Sequence, residues 1–160
     1  MDRPTDTVTV KPWTDLIPEE VYAMARLRTE VFLREQQCDD QELDWRDLEP
    51  TTEHYLLRAG DGRNLAAYLR VLHNEDAETV DGLPTAHLVI GRVVTDPEHR
   101  GRGLASRLLA AVIDRHGNEP MMLHAQFHAR QLYANAGFSL VGGIFDEAGI
   151  DHITMVRPAD

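Results

Sequence analysis

Residues 96–109, "DPEHRGRGLASRLL", set Arg100, Arg102 and Arg107 around Gly101 and Gly103, just before an apolar run with helical spacing. A glycine-rich turn at a helix start is an anion site. The first-turn amides have no helical partner and point outward, and the helix dipole favours negative charge there. In good geometry that field contributes up to ~2 kcal/mol. Glycine lets a ligand reach the backbone without a Cβ in the way. The chemistry indicated is phosphate binding. A Walker A loop is excluded, because it needs a lysine and the chain's only one is Lys11. The dinucleotide fingerprint fits poorly. It meets Ser106 where its third glycine belongs, and the next strand, "MMLHA", ends in alanine rather than an acidic ribose partner.

Other reactive side chains carry weaker signals. His124 and His128 in "HAQFH" have the spacing of a zinc HExxH motif. The glutamate is missing and His124 reads as the end of a strand, so no metal is expected. Cys38 is the single cysteine, which rules out an internal disulfide and reads as a small buried hydrophobe. Candidate general bases are His87, Glu42, Asp44, His73, His128 and His152, each more ordinary as a solvated or structural group. Residues 38–52, "CDDQELDWRDLEPTT", read as a polar connector outside the core. The functional alternative is that this run walls an acceptor site and attracts an ammonium group.

These residues need elements to hold them. "TVTVKPW" (7–13) alternates as a first strand, and residues 17–37 form an amphipathic helix with Val21, Met24, Leu27 and Val31 on one face. Residues 53–59 and 64–72 flank "GDGR" as a hairpin. Residues 73–85 are a polar excursion, expected to be a mobile loop. Residues 86–95 are apolar on both parities, as in a strand buried on both faces, with Gly91 marking a bulge or close approach. A helix follows from Leu104 to Gly117, then a strand at 121–125 and a helix at 129–137. Final strands at 138–143 and 152–157 enclose the loop "FDEAGID". The order predicts one α/β domain over residues 1–160, with a mixed sheet flanked by helices.

The totals limit the function. A net charge of -11 argues against a nucleic-acid partner, which usually meets a basic face. Residues 1–10 lack the basic start and apolar run of a signal peptide, and no run reaches the ~18 apolar residues of a membrane span. With one cysteine, the expected location is the cytoplasm.

Arg100, Gly103 and Ala105 match [Q/R]xxGx[G/A], and "VVTDPEHR" (93–100) leads into it. "QFHARQLYANAGF" (126–138) resembles a second motif, N-x-x-A-x-x-x-Y-x-x-x-G-F, with Gln126 in the asparagine place and Ala129, Tyr133, Gly137 and Phe138 matching. Together these resemble the GNAT (GCN5-related) N-acetyltransferase superfamily. With "LRTEVFLREQQCDDQELDWRDLEP" and "FDEAGIDHITM", nearly the whole chain is similar to its ElaA-like branch. That branch reads Cys-Pro-Tyr-Gln-Glu-x-Asp-Gly where this chain has "CDDQELDW", so Asp39, Asp40 and Trp45 depart from it.

The resemblance implies the GNAT fold and acetyl-CoA as co-substrate. The backbone of Val93, Val94 and Thr95 is expected to pair with pantetheine, the Val94 amide facing the thioester oxygen. Amides from Arg100 through Gly101, Arg102, Gly103, Leu104 and Ala105 to Ser106 are expected to cradle the pyrophosphate. Gln126 is expected to bond the pantetheine arm, and Tyr133 to protonate the departing thiolate. The implied reaction is direct attack of a primary amine, on a small molecule or peptide, on the thioester. A non-catalytic acyl-CoA sensor on the same fold is the alternative, and the oligomeric state, a homodimer among the options, stays open.

Overall fold

The computed structural model describes residues 7–160. The expectation that residues 1–10 form no leader falls largely outside them. The chain is an α/β domain built on one mixed sheet. In chain order its elements are β1 (Thr9–Lys11), α1 (Pro18–Arg28), β2 (Glu53–Arg58), β3 (Leu65–His73), β4 (Thr79–Val80), β5 (Leu83–Pro84) and β6 (Leu88–Thr95). Then come α2 (Leu104–His116), β7 (Met121–Gln126), α3 (Arg130–Ala134), β8 (Ser139–Glu147) and β9 (Ile150–Arg157). The main sheet has seven strands in the order β1-β2-β3-β6-β7-β9-β8, and β4 and β5 pair apart from it. Among the described residues only β6 and β7 run parallel, joined by α2 as the crossover.

Sheet parity divides the core in two. Tyr55, Leu57, Leu69, Val71, Ile90 and Leu123 face α2, whose Leu104, Leu108, Leu109 and Val112 are buried against them. Each such leucine contributes roughly 1.5–3 kcal/mol. The opposite parity, Leu56, Tyr68 and Val94, meets Ala23, Met24, Leu27 and Val31 of α1 and its continuation. This two-sided cover explains why β3 and the first half of β6 read as nearly unbroken apolar runs.

The helix expected over 17–37 forms from Pro18 to Glu35, with a change of winding, and stops before Gln37, which takes φ 54°. α1 passes at Thr29 into a π-helical stretch, Thr29–Glu35. Glu20 accepts the amide of Ile17 at 2.9 Å, as in half of a capping box, and also the ammonium of Lys11 at 3.0 Å and the guanidinium of Arg58. The only lysine of the chain is thereby tied to a buried carboxylate.

Three expectations change. The excursion at 73–85 contains the β4–β5 hairpin rather than only loop. The loop "FDEAGID" shortens to a two-residue turn, because Ala148 and Gly149 both have positive φ, 55° and 82°, the combination of a type I′ hairpin. The helix expected at 129–137 is only five residues long, Arg130–Ala134, after a 3₁₀ turn at Phe127–Ala129.

Candidate active site

The sheet opens where β6 and β7 part. Their parallel pairing covers Leu88–Ile90 against Met121–Leu123 and stops there. The cause lies in β6. Between Tyr68↔Val94 and Arg70↔Gly91, β6 carries one residue more than β3, and Arg92 adopts φ 54°. This is a β-bulge, which bends its strand. Gly91 pointed to it one residue early. The resulting cleft, about 1040 Å³, is lined by Val93, Val94, Thr95, Arg100, Ala105, Gln126 and Tyr133 of the expected residues.

Backbone direction along β6 refines one expectation. The Asp96 amide donates to Ala66 O at 2.8 Å, on the β3 side. In-plane alternation then turns Val94 toward β3 as well and leaves the amides of Val93 and Thr95 on the cleft edge. The Val94 amide, expected to face the thioester oxygen, is therefore on the wrong side of its strand.

The loop between β6 and α2 is set by short-range rules. Asp96 accepts the Glu98 amide at 2.8 Å and caps a 3₁₀ turn, Pro97–His99. Gly101 and Gly103 take φ 78° and 70°, and a Cβ at either would meet nothing within 4 Å. Glycine is needed there for the left-handed backbone, and open space lies over both. The first helical bond of α2 runs from Arg107 N to Gly103 O, leaving the amides of Leu104, Ala105 and Ser106 without helical acceptors. The Leu104 side chain is in the core, Ser106 and Arg102 are exposed, and of the first helical turn Ala105 reaches the cleft.

Two expected contacts already have protein partners. Arg100 makes a bidentate pair with Glu35, at 2.8 and 2.6 Å, which holds the Glu35 carboxyl below its ordinary range. Gln126 donates to Gln36 Oε1 at 2.9 Å across the cleft. A ligand bonding Gln126 has to displace an amide of the same strength.

Tyr133 is buried with its ring edge-on to Phe138, centroids 6.3 Å apart. Its hydroxyl has no hydrogen-bond partner among the described residues, and burial pushes the phenol up to about 12. Of the base candidates, Glu42, His128 and His152 line the cleft, while exposed His87 bonds Asn74 O and His73 sits with His116 at the other end of β3. His152 is 7% exposed, and its Nδ1 is 2.7 Å from Ile150 O. A carbonyl only accepts, so Nδ1 is the donor, and Nε2 is the other ring nitrogen, 3.4 Å from Glu147. His124 is not part of a pair with His128. Its Nε2 lies 2.9 Å from Glu78, just before β4, and its Nδ1 3.0 Å from Thr154. Cys38 lines the cleft, and burial followed by Asp40, Glu42, Asp39 and Glu147 pushes its thiol up.

The connector at 38–52 corrects the sequence reading most. Its outer residues are exposed as expected, but three of its carboxylates turn inward. Asp47 is 3% exposed and accepts from Arg28 at 2.8 Å and Arg70 at 3.0 Å. Glu42 accepts from Arg28 at 2.6 Å and Arg92 at 2.8 Å, and Asp44 takes both terminal nitrogens of Arg70 at 2.6 and 2.9 Å. Three carboxylates thus neutralise three arginines beneath the connector. Glu42 and Asp44 are removed from the list of bases, because each is held by arginines.

Trp45 stands where the ElaA-like branch has glycine. It adopts φ 68° and is 77% exposed. A left-handed residue with a Cβ costs ~1–2 kcal/mol, partly offset by the greater freedom that glycine loses on folding. Trp45→Gly is therefore expected to stabilise the chain by about 0.5–1 kcal/mol. Thermal melts, in which the midpoint should rise by roughly 2 °C, check it; a lowered midpoint means that Trp45 makes contacts worth more than its strain.

A bulged strand leaving a parallel partner, a left-handed glycine loop and a helix start converge on one cleft, and comparison agrees with that geometry. The family model for an acetyltransferase (GNAT) domain matches residues 16–158. The chain belongs to the GNAT acetyltransferase family. Within it, the ElaA-like branch fits. Protein ElaA of Escherichia coli is 33% identical over 148 residues, 90% of this chain and 91% of ElaA. A UPF0039 protein of Mycobacterium tuberculosis is 35% identical over 144 residues, 90% of this chain and 88% of its own length. Among solved structures, an acyl-CoA N-acyltransferase from Pseudomonas aeruginosa matches with TM-score 0.79 and 36% identity, covering 94% of this chain and 98% of that one. The crystal structure of E. coli ElaA matches with TM-score 0.81 and 29% identity, covering 94% and 99%. GNAT family members act on an acyl-CoA and an acceptor. No helix among the described residues is long and apolar enough to cross a membrane.

Proposed function

We propose that this GNAT protein is an acetyl-CoA-dependent N-acetyltransferase that acts on a primary amine. One observation carries the reading. Where β6 leaves β7, the cleft is lined by Tyr133, a buried residue whose hydroxyl has no hydrogen-bond partner among the described residues, and it ends at helix-start amides. The residues present fit the coenzyme, since open space lies over Gly101 and Gly103 and the cleft edge of β6 is unpaired beyond Ile90. Bound acetyl-CoA supplies an activated acetyl thioester.

The chain's residues then have separate tasks. The Val93 and Thr95 amides offer the cleft edge of β6 to the pantetheine arm as a β-strand offers its edge to a peptide. Amides from Arg100 to Ser106 hold the pyrophosphate, with Leu104, Ala105 and Ser106 contributing the unbonded helix start. Gln126 exchanges Gln36 for the arm. Tyr133 donates its proton to the thiolate, and His152 Nε2 accepts one from the amine. Burial and the nearby carboxylates push the Cys38 thiol up, which disfavours it as a thiolate acyl carrier and supports direct attack. Asp40, Glu78 and Glu147 on the cleft wall favour an acceptor that arrives as an ammonium ion. A free cysteine fits action in the cytoplasm.

A panel of small amines and peptide amines, assayed by release of coenzyme A thiol, tests the proposal. At least one amine should release thiol in stoichiometric amount with acetylated product. Silence across the panel, with acetyl-CoA bound in calorimetry, supports the sensor instead.

A further inference from the structure

We propose that Glu53, His73 and His116 form a binding site for one divalent metal ion of the zinc type, remote from the acyl-transfer cleft. The three residues come from three elements: Glu53 opens β2, His73 ends β3 and His116 ends α2. His73 pairs with Leu88 at the start of β6, whereas the cleft opens beyond Ile90. The sequence expectation of no metal was drawn from His124 and His128, which lie elsewhere.

The geometry is that of a ligand set. One ligand atom from each residue lies within 4.8 Å of the other two. His116 Nε2 is 2.7 Å from Glu53 Oε1, and His73 Nε2 is 3.8 Å from the same oxygen. Ligands at ~2.05 Å from a tetrahedral zinc ion lie about 3.3 Å apart. The two distances bracket that value, so small side-chain rotations suffice. The imidazoles meet edge to face, with centroids 5.5 Å apart, which lets both ring nitrogens converge without stacking.

Hydrogen bonding points the same way. His73 Nε2 is buried and has no hydrogen-bond partner. A buried polar atom without a partner carries a cost, and here its neighbours are a histidine and a carboxylate. The surroundings resemble the outer shell of a metal site, which orients ligands through their second polar atoms. Arg115 holds Glu53 Oε2 at 3.0 Å and the Tyr55 hydroxyl donates to Oε1 at 3.1 Å, so the carboxylate is oriented from both sides, and the ion would replace the present His116 Nε2 contact to Oε1. Glu119 lies 3.8 Å from His116 Nδ1, a carboxylate on the far side of the ring. Arg115 is the cation facing the cluster, and its side chain is 55% exposed, free to swing into solvent. Water completes the fourth position, so the ion would staple β2, β3 and the end of α2.

The test uses the full chain, stripped with chelator and dialysed. Calorimetry with zinc chloride should give one ion per chain at micromolar affinity or tighter, and zinc should raise the melting midpoint by several degrees. Cobalt(II) should give the intense visible bands of a tetrahedral site. His73→Gln leaves the metal-free fold intact, since His73 Nε2 makes no hydrogen bond, and should weaken zinc binding at least tenfold and abolish the thermal shift. Glu53→Gln should weaken binding similarly, whereas His124→Gln should leave it unchanged. Absence of stoichiometric binding overturns the site, and so does binding that His73→Gln leaves intact.

Discussion

Tyr133→Phe should lower kcat by a factor of ~10²–10⁴, the usual worth of a positioned general acid, while leaving acetyl-CoA affinity and fold stability almost unchanged. The substitution removes one oxygen. The ring stays buried against Phe138 at 6.3 Å, and the hydroxyl has no hydrogen-bond partner whose loss would be felt. That separation is what makes the variant informative, because a tyrosine kept for packing alone would tolerate it in every assay. The phenol is pushed up to about 12 by burial, so it remains a proton donor across the range in which the enzyme can be assayed. No loss of rate from ionisation of Tyr133 is expected at neutral or mildly alkaline pH. Steady-state thiol release and calorimetry on the same preparation give the two readings. Turnover within threefold of the parent would remove Tyr133 as the acid, even if the chain proves to be an acetyltransferase.

What could be read in the sequence followed from how local its cause was. The turn into α2 was legible, because Gly101, Gly103 and the Leu104, Leu108, Val112 spacing each encode their conformation within a few residues. Tyr133 was singled out only by its motif, since its apolar spacing equally describes a core residue. The β8–β9 hairpin was read too short because Ala148 takes a positive φ where asparagine or glycine normally signals the turn. The ion-pair cluster was invisible for a different reason. Arg28 stands four residues after Met24 and three before Val31, so periodicity puts it on the buried face, but nothing local names the carboxylates that a charge there needs. Its partners lie 14 and 19 residues away, and Arg92 is 50 residues from Glu42. One hint existed. An acidic run in a folded chain needs cations from elsewhere, and only arginines could supply them in number.

That cluster carries the largest expected stability effect. Asp47→Ala should cost about 3–5 kcal/mol, because it leaves Arg28 and Arg70 in the protein interior with one carboxylate fewer. Arg28 is 0% and Arg70 3% exposed, so water cannot replace the lost partner cheaply. Urea denaturation checks the figure, and a loss under 1 kcal/mol would mean that the connector rearranges to resolvate the arginines. Acid should act on the same groups. Burial pushes the Asp44 carboxyl up, but the hydrogen bonds from Arg70 and the charges of Arg70 and Arg92 outweigh it and hold it at about 2. Asp47 is lowered as well, by Arg28 and Arg70 against its burial. Carboxyls lowered on folding stabilise above their ordinary range near pH 4 and lose that contribution as pH falls toward 2. After allowance for solvent screening, Asp44 alone contributes roughly 1 kcal/mol, and Asp44→Asn should flatten the acid limb accordingly. Charge balance, rather than any single contact, sets the cost, and a double variant separates the two. Arg28→Met with Asp47→Leu removes one charge of each sign and leaves Arg70 with Asp44 and Arg92 with Glu42. It should therefore be more stable than Asp47→Ala, although it deletes more hydrogen bonds.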